Sequence, residues 1–269
     1  QILAKEALGQ DGSVNIIQLV KRIVLFALIA QLIGTAIMAI RWVPEMGWGH
    51  GLYVSFFHAV SAFNNAGFSL FANNLIDYRD DPIISLTIPA LLILGGIGFT
   101  VIVDLVRNHR WRKLKLHSKL MLLMTPALLL LGTLMFWLLE HNNPATLGNA
   151  GPGGQLLAAF FQSATARTAG FNTVDIGQMV PASLLFMMML MFIGAGATST
   201  GGGIKVTTFA VVLLATRAFL TKRPHVTAFG RTLSPQIVTR SLAIIIVSVM
   251  VLMLAMFLLM LTESLPFDK

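Results

Sequence analysis

Two short stretches of this sequence could hold a bare monovalent cation with backbone carbonyls alone. Asn65-Ala66-Gly67-Phe68 is matched 103 residues later by Thr168-Ala169-Gly170-Phe171, in register and without a gap. A dehydrated cation needs oxygen ligands from several sides, and carbonyls supply them without a formal charge. Glycine permits the left-handed or extended dihedrals that turn successive carbonyls toward one axis. A glycine at a helix crossing is the plain alternative, and it is common in membranes. It does not explain two copies, each placed after a segment too short to span.

Those segments, Leu52–Phe63 and Leu156–Ala166, are half-apolar, and each is followed by a long apolar run. A hydrocarbon core about 30 Å thick takes about 20 helical residues to cross. The short segments are therefore expected to be re-entrant: they dip in, turn at a glycine and return. Irregular backbone at that depth is tolerated where it lines a watery cavity or is buried in protein. Entering from outside, each would aim its C-terminal end, and the negative pole of its dipole, at the membrane centre. Asn64 and Arg167, beside the two phrases, are candidates for supporting them.

The chain is 56% hydrophobic and 11% charged, with a mean hydropathy of +0.79, outside the range of soluble globular domains. Uncharged apolar runs cover 23–40, 83–103, 120–139, 176–204 and 241–262. The expected class is an all-α polytopic membrane protein. The net charge of +8 is not spread evenly. Arg107, Arg110, Arg112, Lys113, Lys115 and Lys119 fall in one inter-span loop, and Arg217, Lys222, Arg223, Arg231 and Arg240 in another. Lys5, Lys21 and Arg22 precede the first span, whereas Glu45, Asp77, Asp80, Asp81, Glu140 and Asp175 lie on the opposite side of the crossings. The positive-inside rule makes the basic loops cytoplasmic, which accounts for the charge without nucleic acid. Cysteine is absent, so disulfides and thiolate metal sites are excluded. Gln1 opens no signal-peptide pattern, and a chain without an initial methionine is expected to be a piece of something longer.

The order reads as a cytoplasmic tail (1–20), a span–short segment–span unit (21–107, with the first phrase at 64–68), a basic link (108–120), a second unit (121–220, with the second phrase at 168–171), a basic link (221–240), an opening helix of a further unit (241–262) and an external end (263–269). Both units cross in the same direction, so the repeat is parallel, as around an axis along the membrane normal.

A third region breaks the second unit. From Gly194 to Gly203 seven of ten residues are Gly or Ala and the rest are Thr198, Ser199 and Thr200. Gly201, Gly202 and Gly203 each weaken a helix by about 1 kcal/mol relative to Ala. The expectation is a broken helix with an intramembrane loop at 194–203. A nucleotide loop is excluded, because Gly202 occupies the lysine position after Gly196-x-x-x-x-Gly201 and no strand precedes it. Lys205, just beyond, is costly at membrane depth; it either latches the loop or snorkels to the cytoplasm. Arg167 is expected to pair with a carboxylate or with helix-end carbonyls behind the turn. The six histidines make no metal spacing, Asp80-Asp81 stand alone, and the methionines have only apolar sequence neighbours.

Ser61-Ala-Phe-Asn-Asn-Ala-Gly-Phe-Ser69 and Ala164-Thr-Ala-Arg-Thr-Ala-Gly-Phe-Asn-Thr173 resemble the second and third pore loops of the Trk/Ktr/HKT potassium transporters. Phe192-Ile-Gly-Ala-Gly-Ala-Thr-Ser-Thr-Gly-Gly-Gly-Ile-Lys-Val-Thr-Thr-Phe-Ala210 is similar to the third-repeat signature of the Ktr-type membrane subunit. The resemblance implies four pseudo-symmetric units around one pore, each giving one filter glycine. Gly67 and Gly170 match two of them, so one copy of this chain could not close the filter. It implies K+ as the ion, held by backbone carbonyls of Asn65, Ala66, Gly67, Thr168, Ala169 and Gly170, with Na+ as a coupling ion left open. It places Gly194, Gly196, Thr198, Ser199, Thr200, Gly201, Gly202, Gly203 and Lys205 in a gate beneath the filter. It further implies a homodimer on cytoplasmic nucleotide-binding regulatory subunits. Two other readings stand beside it: a two-repeat cation channel that dimerises to complete its pore, and a polytopic membrane enzyme, which would need clustered acids or histidines at one depth.

Overall fold

A computed structural model describes residues 16–262. The parts of the expected tail at 1–15 and of the external end at 263–269 lie outside the described residues. The chain divides between Lys205 and Val206 into two compact units.

The first unit holds α1 (Ile16–Met46), α2 (Trp48–Phe63), α3 (Pro82–Ile97), α4 (Phe99–Arg107), α5 (Leu116–Glu140), α6 (Pro152–Thr165) and α7 (Pro181–Phe192). Proline opens α3, α6 and α7, where its missing N–H costs nothing and its φ is already helical. Asp81 caps α3 by accepting from the amides of Ile83 and Ile84 at 2.9 and 3.2 Å. The long helices α1 and α5 are apolar enough to cross a membrane, and so are α3 and α4 taken together, with a bend of 86° between them. Leu25, Leu28, Ile29, Leu32 and Ile33 on α1, and Leu130, Leu131 and Leu134 on α5, point outward, the lipid-facing pattern of a membrane helix.

The second unit holds α8 (Val206–Leu220), a hairpin of β1 (Thr227–Ala228) and β2 (Arg231–Thr232), and α9 (Pro235–Thr262). The hairpin turns at Phe229 and Gly230, with φ of 49° and 75°, both positive as a two-residue primed turn needs. The spanning window of α9 buries none of its residues within the described chain.

Three boundaries differ from the sequence expectation. Among the described residues α1 is already helical at Ile16, inside the stretch read as tail, because its polar residues continue the helix without a breaker. The two short segments run longer than expected, to 16 and 14 residues, since Gly49, Gly51, Gly153 and Gly154 do not stop the helix. At 1.5 Å per residue both remain well short of about 30 Å. The apolar run at 83–103, read as one span, is interrupted at Gly98. There φ is +97°, a dihedral open to glycine and strained for other residues.

One core lies between α1, α2, α3 and α6. Trp42, Phe63, Ile84, Ile88, Phe161 and Phe171 are all fully or nearly fully buried in it. His58 is buried beside it, bonded through its ring nitrogens to the Val54 carbonyl at 2.8 Å and to Ser69 Oγ at 3.0 Å. A second core gathers Phe136, Ala158, Ala159 and Leu190 from α5, α6 and α7. At its rim Glu140 accepts from Thr146 Oγ1 at 2.6 Å, Asn143 Nδ2 at 2.8 Å and the Val180 amide at 2.9 Å, tying three segments to one carboxylate.

Candidate ion-conducting site

Each duplicated phrase is the unwinding end of a short helix. After α2, the amides of Asn64, Asn65 and Ala66 reach back to the carbonyls of Val60, Ala62 and Ser61. After α6, the amides of Ala166, Arg167 and Ala169 reach Gln162, Ala164 and Thr165 in the same manner. The last turn is thereby closed, and the following carbonyls are left to face elsewhere. A partial negative charge of about half an electron sits at each such end.

The backbone then repeats itself. Asn65 and Gly67 have φ of 52° and 72°, and Thr168 and Gly170 have 72° and 90°. Two left-handed residues separated by one ordinary residue make a sharp reversal. Thr168 is β-branched and therefore strained in that region. Downstream, the Ser61 hydroxyl donates to the Phe68 carbonyl at 2.8 Å, and the Thr165 hydroxyl to the Phe171 carbonyl at 2.6 Å. Both turns are stapled to their own helices by a side-chain hydroxyl.

The two turns touch. A Cβ built on Gly67 would overlap the Ala169 carbonyl and come within 2.8 Å of the Gly170 Cα, while one on Gly170 would lie 3.4 Å from the Gly67 Cα. Beyond the turns the strands stay together: the Leu75 amide donates to the Asn172 carbonyl at 3.1 Å, and the Asn172 amide to Asn74 Oδ1 at 3.3 Å. Glycine is required at Gly95 too, where a Cβ would press into the Phe63 carbonyl at the end of α2.

The chain from 193 to 205 is non-helical and folds under these turns. Its ends are pinned by the Gly194 amide on the Ile204 carbonyl at 3.0 Å and the Ala195 amide on the Gly202 carbonyl at 3.1 Å. Ser199 Oγ donates to the Gly196 carbonyl at 2.7 Å. Lys205 Nζ donates to the Gly201 carbonyl at 2.9 Å, so the ammonium is bound within the segment. The loop also reaches both turns: the Gly202 amide donates to Thr168 Oγ1 at 3.1 Å, and Thr200 Oγ1 accepts from Asn65 Nδ2 at 2.8 Å.

The structure thus brings together Asn65, Gly67, Thr168, Gly170, Thr200, Gly201, Gly202 and Lys205. Asn64 stays aside: its side-chain Nδ2 donates to the Val60 carbonyl of its own helix at 2.9 Å. Arg167 differs from expectation. It is 7% exposed, pairs with no carboxylate among the described residues, and its Nε is buried without a partner. Asp80 and Asp81 are engaged by Arg79 and Arg41, away from this site. Sequence reasoning missed Gly95, Gly96, Gly98 and Thr100, which meet the loop. The available signal was the spacing Gly95-Gly96-Ile97-Gly98 inside an apolar run.

Comparison with known proteins agrees with this architecture. The family model described as TrkH, a cation transport protein, matches residues 3–268. Ktr system potassium uptake protein B of Vibrio alginolyticus is 57% identical across 100% of this chain and 60% of its own length. Its namesake from Bacillus subtilis is 44% identical over 99% of this chain and 60% of its own. The potassium/sodium uptake protein NtpJ of Enterococcus hirae is 38% identical over 99% and 59%. The chain therefore spans about 60% of the length of these relatives. The crystal structure of the potassium transporter TrkH from Vibrio parahaemolyticus superposes with a TM-score of 0.77 over 94% of this chain and 53% of that one, at 20% identity, a likeness of fold.

Proposed function

This chain belongs to the TrkH family of cation transport proteins, and on that premise we propose that it builds part of a potassium-uptake pore in the cell membrane. In this reading residues 21–107 and 121–220 are two adjacent span–pore loop–span units, joined by basic cytoplasmic links at 108–120 and 221–240, and 241–262 opens a further unit. Carbonyls of Asn65, Ala66, Gly67, Thr168, Ala169 and Gly170 replace water around a dehydrated potassium ion, and Asn64 flanks them. The observation that carries the reading is the pair of matching left-handed turns, each at the C-terminal end of a short helix, meeting at Gly67 and Gly170. Two helix ends and a carbonyl array favour a cation without a carboxylate. Chemistry of this kind moves an ion and breaks no covalent bond.

The loop at 193–205 supports a gate, because it lies against both turns through Thr168 and Thr200. Lys205 holds a loop carbonyl from within through its ammonium. Arg167, buried without a carboxylate, places a positive charge beside Thr168 and discourages a second cation from sitting off the path. The basic links are the surfaces for cytoplasmic nucleotide-binding regulatory subunits, and the membrane part pairs as a homodimer. Sodium enters the reading as a coupling ion, a role the name of the Enterococcus hirae relative makes worth testing.

The test uses the full-length protein in liposomes. Rubidium or potassium uptake should saturate and should resist competition by sodium. Sodium and potassium moving equally well would remove potassium selectivity, and a folded protein that carries neither would remove the pore. Dependence of potassium uptake on external sodium decides the coupling ion, and native mass decides dimer and regulatory assembly.

A further inference from the structure

The bend at Gly98 and the loop at 193–205 share a set of hydrogen bonds that each could otherwise make differently. In a straight helix the carbonyls of Gly95 and Gly96 would accept from the amides of Phe99 and Thr100, four residues on. Here the Gly95 carbonyl accepts from the Thr200 amide at 3.2 Å, and the Gly96 carbonyl from the Gly196 amide at 2.8 Å. The displaced Phe99 amide donates instead to the Thr198 carbonyl at 3.1 Å. The hydroxyls of Thr100 and Thr198 stand 3.1 Å apart, closing the contact from the side. Both partners hold special dihedrals to meet: φ is +97° at Gly98 and 55° at Thr198. The second belongs to a β-branched residue, for which the left-handed region is a strained one.

The carbonyls of Gly95 and Gly96 and the amide of Phe99 are therefore open to two sets of partners. In one the span is bent and the loop is docked. In the other Phe99 and Thr100 donate back to Gly95 and Gly96, the span is straight, and the loop has lost its seat. Neither leaves the span's carbonyls orphaned, which is what a two-state element requires.

We propose that this exchange is the switch of the gate: the loop closes by docking on the bent span and opens as the span straightens. Gly98 and Thr100, which belong to the preceding unit and not to the loop, are its positioning residues. The proposal rests on the reading above that the loop obstructs the path.

Four variants of the full-length protein in liposomes test it, with the unmodified protein measured alongside. Gly98→Ala penalises the bent form and should raise maximal potassium flux by about threefold to tenfold, as a bias on a two-state equilibrium does. Thr100→Val should act in the same direction and Thr100→Ser should restore ordinary flux. A cysteine pair, Thr100→Cys with Thr198→Cys, in full-length protein cleared of any cysteine outside these 269 cysteine-free residues, should lose most of its flux on oxidation and regain it on reduction. A disulfide that forms without lowering flux would overturn the proposal, as would folded Gly98→Ala protein with unchanged or lower flux. Absence of selective flux in the unmodified protein is a different result, and it would remove the pore reading itself.

Discussion

The hydroxyl of Thr200 sits between Asn65 and the end of its helix, accepting from Asn65 Nδ2 at 2.8 Å and donating to the Phe63 carbonyl at 3.0 Å. The loop and the turn above it are thus one hydrogen-bonded body and not two separate layers. Thr200→Val keeps the shape and removes both bonds. It should raise the KM for potassium by about threefold to tenfold, the scale of one or two lost hydrogen bonds, while Thr200→Ser should behave as the parent. An unchanged KM in folded Thr200→Val protein would separate the layers again.

Gly67 and Gly170 should not be equally replaceable. Both have positive φ, but an added methyl at Gly67 meets the Ala169 backbone, whereas one at Gly170 reaches only ordinary contact with Gly67 at 3.4 Å. Gly170→Ala should therefore keep part of its potassium uptake, losing about 1–2 kcal/mol to the left-handed dihedral alone. Gly67→Ala should abolish selective uptake. Competition between sodium and rubidium in both variants checks the order; equal effects would mean that the two turns relax independently. An aspartate at either position places a fixed charge among the carbonyls and should end selectivity.

Neutralising Lys205 tests the latch inside the loop. Lys205→Met removes the bond to the Gly201 carbonyl and should raise maximal flux by about threefold to tenfold. A lysine that only snorkels predicts no change. Lower flux in a well-folded variant would take the latch out of the account.

Topology follows from the charge of the loops. A single cysteine at Asn108, beside the basic stretch that ends in Lys119, should react only from the cytoplasmic side. One at Asn142, at the foot of α5, should react only from outside. Labelling of both from one side would mean that α5 does not cross, and labelling from the reverse sides that α2 is not re-entrant.

How much of this was readable in advance depends on the reach of each signal. The membrane class follows from composition. The turns at Gly67 and Gly170 were legible because the phrase occurs twice, and duplication is a signal that needs no structure. A glycine run such as 194–203 in an apolar stretch announces a weak helix by propensity alone. The bend at Gly98 was hidden, since glycine inside a membrane helix is ordinary and its reason lies at Thr198 and Thr200, about a hundred residues away. Helix starts at Trp48 and Pro152 were misplaced for a local reason: the glycines near them look like breakers yet are accommodated in the first turns. The isolation of Arg167 could not be read at all, because a sequence does not reveal which carboxylates stay away.

Phe171 is buried to 1% within the core built mainly by α1, α2 and α3, its ring 6.2 Å from that of His58, whereas its counterpart Phe68 is 70% exposed. In the vocabulary of assembly this is a peg-and-socket joint with unlike faces: the peg of one copy enters the socket of the copy before it. Joints of that kind do not pair off face to face but hand the same contact onward, closing only when the rotation between neighbours completes a circle. Phe68 is the same peg with no socket among the described residues. In the proposed reading the duplicated phrase is therefore a connector between successive copies as well as a lining, and the covered Phe171 marks the side on which one copy seats on the copy before it.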